Sequence, residues 1–207
     1  MKIHLFTLFA MLLAIGGCAT EPPPRPQFVV AANQNLPPPP QDRAQIVFLE
    51  PINSIQGMFP VGIFEINDNN RTLLATTGAH SKVALLFTPG RHILMANQPG
   101  IAAHFLDANV EAGKRYYVLL RFIYANGFQM RPLRSSGPSD YAITNKDFPR
   151  WISETRFVDK TTDSDAFFEK YNEAVIKSQT SGWKTWLAKT PQQRAELTLN
   201  LEDAITY

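Results

Sequence analysis

One cysteine, Cys18, is all the thiol chemistry that the 207 residues hold. A single thiol forms no internal disulfide and builds no cysteine-based zinc site. Charge is sparse and balanced, with 20 Lys and Arg against 18 Asp and Glu and no basic cluster. That pattern excludes an extended phosphate-tracking surface, so nucleic acid is not an expected partner. No apolar run approaches the roughly 20 residues of a membrane span; residues 3–15, broken only by His4 and Thr7, would reach about 20 Å as a helix. A G-x-S-x-G elbow, a phosphate loop and a dinucleotide fingerprint are absent. Asn67-Asp68-Asn69-Asn70 has calcium-turn residue types without the downstream bidentate Glu, and it reads as a hairpin loop. Glu50, Glu65, Asp107 and Glu111 are scattered rather than paired as a carboxylate hydrolase needs. The expectation is a protein that is not an enzyme and takes no cofactor or metal.

What is present begins with a signal. Met1-Lys2, the apolar run to Ile15 and the small residues after it have the shape of a secretory leader over residues 1–17. Its end, Ile15-Gly16-Gly17-Cys18, resembles the bacterial lipobox, in which the cysteine is linked to diacylglycerol before cleavage. That resemblance implies a lipid anchor at Cys18, and two or three acyl chains hold a protein stably at a membrane without spanning it. Ala19, where inner-membrane lipoproteins tend to have Asp, implies the outer membrane with the chain facing the periplasm.

Residues 18–43 read as the lipidated N-terminus and a proline-rich linker. Eight of the 16 prolines fall between Pro22 and Pro40 in two clusters. Polyproline segments rise about 3.1 Å per residue, so the stretch predicts a spacer of up to about 75 Å.

From 44 to 135 short apolar runs alternate with turn residues, which is the pattern of an antiparallel β-sandwich. Strands are predicted at 45–50, 61–66, 72–77, 82–88, 91–96, 105–110, 116–124 and 128–133. Thr88-Pro89-Gly90-Arg91 suits a type II turn and Asn126-Gly127 a hairpin turn, and both predict antiparallel neighbours. Tyr116, Val118, Leu120, Phe122 and Tyr124 form one wholly apolar face, expected to be an inner layer.

Two segments carry a further resemblance. Leu86-Phe87-Thr88-Pro89-Gly90-Arg91-His92-Ile93 and Val110-Glu111-Ala112-Gly113-Lys114-Arg115-Tyr116-Tyr117-Val118 look like the hairpin and strand start of uncharacterised bacterial lipoprotein domains, loosely similar to PEGA-type envelope repeats. The resemblance implies a mostly β, immunoglobulin-like antiparallel sandwich, and it brings no catalytic residue.

Residues 136–207 read as a helical region packed on that sandwich. Asp163 or Ser164 is expected to cap a helix running to about Ser178, with Ser181-Gly182 as the break after it. Trp183, Trp186 and Leu187 are placed in a second short helix, and Thr190-Pro191-Gln192-Gln193 opens a third. Trp183 and Trp186 either fix this region to the sandwich or form an exposed aromatic platform for a partner or glycan. His80, His92 and His104, twelve residues apart, belong to no compact ligand motif and are expected at turns and strand edges rather than around zinc. The resulting expectation is a membrane-anchored lipoprotein with a non-catalytic structural or protein-binding role in the envelope. Carbohydrate or peptidoglycan binding through Trp183 and Trp186 is the alternative.

Overall fold

The computed structural model describes residues 27–51, 60–68 and 70–205. The signal segment, Cys18 and the first proline cluster lie outside the described residues. The chain is mostly β, built as two sheets with a few helices.

All eight expected strands form, as β2 (Ala44–Glu50), β3 (Val61–Asn67), β4 (Asn70–Thr77), β5 (Ser81–Phe87), β6 (Gly90–Asn97), β7 (His104–Val110), β8 (Arg115–Ile123) and β9 (Gly127–Pro132). Three more were not expected: β1 (Phe28–Val30), β10 (Arg156–Lys160) and β11 (Thr198–Leu199). The six-stranded sheet runs β1-β10-β5-β2-β8-β9 and the five-stranded sheet β11-β7-β6-β3-β4.

The antiparallel expectation is corrected at three seams. β2 lies parallel to β8, β10 to β5 and β11 to β7. Alternation in sequence reports which face a side chain takes, not the direction of the neighbouring strand. The Pro89-Gly90 turn is likewise not a link between antiparallel neighbours. It carries the chain from β5 in one sheet to β6 in the other, with Gly90 at φ 124°. Asn126-Gly127 does close an antiparallel hairpin between β8 and β9, although the positive φ values fall on Ala125 and Gly127.

Three apolar layers hold the molecule together. Between the sheets lie Ile46, Phe48, Ile63, Leu94, Leu106, Tyr116, Val118 and Leu120, all without solvent exposure. The β8 inner face is therefore as expected up to Phe122, but Tyr124 lies beyond the strand and is 84% exposed. Val47 and Leu49 on the opposite face of β2 meet Tyr117, Leu119 and Leu133 under helix α1 (Phe148–Glu154), whose Phe148 rests edge-on against Tyr117. On the far side of the other sheet, α2 (Thr162–Lys170) and α3 (Asn172–Leu187) cover Phe64, Met95 and Phe105 with Phe168, Val175 and Trp186.

The helical boundaries differ from the sequence reading. α2 starts after Thr161 because Ser164, an expected cap, is buried and bonded instead to Thr76 and to the Gln27 carbonyl. The break falls at Tyr171, and α3 continues through Gly182. A Cβ at Gly182 would lie 2.4 Å from the Ala103 carbonyl oxygen, so this glycine serves close helix–sheet approach rather than helix termination. The third expected helix is α4 (Pro191–Ala195), with Thr190 and Gln193 forming a reciprocal capping box.

Part of the expected spacer belongs to the folded body. β1 pairs antiparallel with β10, and the Gln34 side chain both accepts from the Phe157 N–H and donates to its carbonyl. Leu36 packs beside the α1 layer, and Arg115 donates to the Pro37 carbonyl. Residues 27–43 therefore lie along the domain.

Candidate functional site: a tryptophan cleft between sheet and helix

An opening lies where α3 leaves the outer face of the five-stranded sheet. It is a cleft of about 430 Å³ lined by Ile66, Asp68, Ile93, Phe105, Gln179 and Trp183. That volume falls within the ~300–1,000 Å³ typical of small-molecule sites.

Each wall follows from the local fold. Ile66 and Ile93 are register partners on β3 and β6, and both point toward the helical layer because Phe64 and Met95, two residues away on the same strands, do so too. The helix covers Phe64 and Met95 but stops short of covering the isoleucines fully, leaving an apolar floor. Trp183 stands at one side, 37% exposed, with its ring edge-on to Phe105 at 5.0 Å between centroids. Asp68 closes the opposite side from the β3–β4 turn, at φ 51°.

Polar groups on the rim are held in place. Arg71 on β4 donates to Gln179 Oε1 at 2.7 Å and to Asn172 Oδ1, and its guanidinium lies over the Phe64 ring. Partial burial lowers the Arg71 pKa from its ordinary value, and the charge of Glu169 opposes that shift. Since Gln179 already accepts through its oxygen, its amide NH₂ is the group left to donate. The cleft thus offers an apolar floor, an indole, one carboxylate acceptor and one amide donor. Among the described residues its lining contains no serine, cysteine, histidine or lysine.

The two tryptophans singled out in the sequence separate here. Trp183 lines the cleft, whereas Trp186 is 5% exposed and packs in the core near Phe105, so Trp186 is corrected from a binding to a packing residue. The angle around α3 decides this: Val175, Gly182 and Trp186 are its buried residues and share the face turned to the sheet, and at about 100° per residue Trp183 falls at the edge of that face. Lining residues Ile66, Ile93 and Phe105 were not singled out. Their only signal was that β3 and β6 carry large apolar side chains on both faces, which requires a second covering layer.

The histidines are apart. His80 occupies a turn at φ 56°; His92 bonds Glu65 at 2.6 Å and the Thr88 carbonyl at 2.8 Å; His104 bonds the Asn126 carbonyl. Along the β6–β7 ladder His92 pairs with Ala108 and His104 with Ala96, four rungs apart. Among the described residues no three His, Cys, Asp or Glu side chains converge as a metal site, and no helix is long and apolar enough to cross a membrane.

The most perturbed group lies elsewhere. Glu50 ends β2 on the inter-sheet face, fully buried, and neither carboxyl oxygen has a hydrogen-bond partner among the described residues. Burial raises its pKa to about 8, with the nearby Thr77 hydroxyl opposing weakly. It does not line the tryptophan cleft.

Set against known proteins, the chain matches no protein-family model and no curated protein sequence.

Proposed function

We propose that this chain is a lipid-anchored, non-catalytic binding protein of the bacterial envelope, held at Cys18 in the outer membrane and facing the periplasm, and that it engages its partner through the Trp183 cleft. The observation that carries the reading is the contrast between the two tryptophans. Trp186 is fully used in packing, while Trp183 keeps more than a third of its surface at the mouth of a concavity bearing a fixed donor and acceptor. Such a mixture of rigid aromatic surface and few polar groups suits recognition. Among the described residues the lining supplies no nucleophile with a base beside it, which argues for binding rather than turnover.

The immunoglobulin-like kinship and the likeness to PEGA-type lipoprotein domains belong to the same proposal. Two facing sheets support them, and the parallel seams set this chain apart. Replacing Cys18 with Ser should move the protein from the membrane fraction to the soluble fraction. Unchanged sedimentation with membranes would overturn the anchoring part of the reading. Of the possible partners, carbohydrate is favoured over protein by the small, concave and mixed character of the cleft, since a stable protein interface spreads over about 800 Å² on each side.

A further inference from the structure

We infer that the Trp183 cleft is a site for an N-acetylated hexosamine unit of an envelope glycan. The inference rests on the cleft being the binding site, though not on the lipid anchor.

Four features of the lining match four features of that sugar. An acetamido group carries a methyl, an N–H donor and a carbonyl acceptor within one small planar unit. The adjacent Ile66 and Ile93 supply an apolar seat of the kind a methyl fills. The Asp68 carboxylate, with no ion pair to any described basic residue, is an acceptor for the N–H. The Gln179 NH₂, left outward by the Arg71 bond to Gln179 Oε1, is a donor for the carbonyl. Trp183 then offers indole surface against which the apolar C–H groups of a pyranose ring can lie.

The alternatives fit less well. An acyl chain would leave Asp68 and the Gln179 amide desolvated without a partner, which is costly. An anionic lipid surface or phosphate would meet the carboxylate of Asp68, with Arg71 already engaged by Gln179 and Asn172. A sugar lacking the acetamide would leave the isoleucine floor unfilled and the donor–acceptor pair half used.

The test is titration of the unlipidated chain from residue 18 to 207 with N,N′,N″-triacetylchitotriose and with cellotriose, which has the same linkage without acetamides. Trp fluorescence and NMR chemical shifts report binding. The expected result is saturable binding of triacetylchitotriose, at least about tenfold tighter than cellotriose, since two buried hydrogen bonds and a methyl contact are at stake. Trp183→Ala should weaken it about tenfold or more. Asp68→Asn, which tolerates the same backbone conformation, and Gln179→Ala should each weaken it severalfold while circular dichroism stays unchanged. Equal binding of the two trisaccharides overturns the acetamide assignment. Absence of any saccharide binding by a folded chain whose retention on isolated envelopes still depends on Trp183 overturns the sugar and leaves the cleft as a binding site. Retention and titration both indifferent to Trp183→Ala overturn the cleft reading as well.

Discussion

Glu50 shows how strongly one side chain can tie stability to pH. Its carboxyl is held in the inter-sheet core, where the charged form loses hydration and has only the nearby Thr77 hydroxyl to offset that loss. In the folded chain burial pushes its pKa up to about 8, whereas in the unfolded chain it ionises near the ordinary carboxyl value of 4.5. Between those values the unfolded state binds fewer protons, so stability must fall as pH rises through that window and level off above it. The slope is bounded by about 1.4 kcal/mol per pH unit for one proton. Thermal melts from pH 5 to 8 should show a steadily decreasing midpoint, and Glu50→Gln, which keeps the shape and removes the ionisation, should flatten the decrease and raise the midpoint at pH 8. Identical profiles for variant and wild type would show that Glu50 is already charged and solvated in the native state. The residue was read from sequence as one of several scattered acids. Its alternation with Ile46 and Phe48 on β2 was the sign of burial, but alternation alone does not say whether a strand's last residue still lies beneath the opposite sheet.

At the scale of elements, α3 decides the geometry of the cleft, and Gly182 decides where α3 sits. In a solvent-exposed helix, alanine for glycine stabilises by about 1 kcal/mol. Here the added methyl would meet the Ala103 backbone, which has no rotamer to yield, so the sign should reverse. Gly182→Ala is expected to destabilise by about 1–3 kcal/mol, as overpacking does, and to shift the fluorescence of the neighbouring Trp183. Chemical denaturation checks this, and a gain in stability would mean that α3 can ride away from the sheet without loss. The same glycine explains a boundary misread in the sequence: Ser181-Gly182 has the composition of a helix end, and only the carbonyl of a distant strand reveals its other use. Strands β2 to β9 were legible because each has six or more residues, long enough for apolar periodicity to show, closed by Gly, Pro or Asn. Strands β1, β10 and β11 have three, five and two residues, too short for a period to show, and they exist because partner edges accept them. Of the cleft, Trp183 was legible by residue type. Asp68 and Gln179 were not, since their value comes from Arg71 and from a turn and a helix that only the fold brings together.

For the whole molecule, the course of residues 27–43 along the domain changes how an anchored protein would stand at its membrane. Read as a free polyproline spacer, residues 19–43 allow a separation of up to about 75 Å. With β1 zipped to β10, Gln34 clamped to Phe157 and Arg115 bonded to the Pro37 carbonyl, the link from Cys18 ends at Gln27. Nine Cα steps reach at most about 30 Å even when fully extended. Gln27 meets the body at α2, where the Ser164 hydroxyl donates to its carbonyl, so that end of the molecule would be held nearest the bilayer. The α2–α3 layer and the cleft on its margin would then work close to the membrane rather than deep in the periplasm. A fluorophore on Ala166→Cys, an exposed position on α2 and the only free thiol once Cys18 is acylated, can report the distance by energy transfer to acceptor-labelled lipids in vesicles carrying the lipidated protein. The expected mean height is below about 40 Å, allowing roughly 10 Å from Gln27 to the label beyond the 30 Å of chain. A height near 70 Å would show that β1 peels from β10 in the anchored state and that the proline segment acts as a full-length spacer after all.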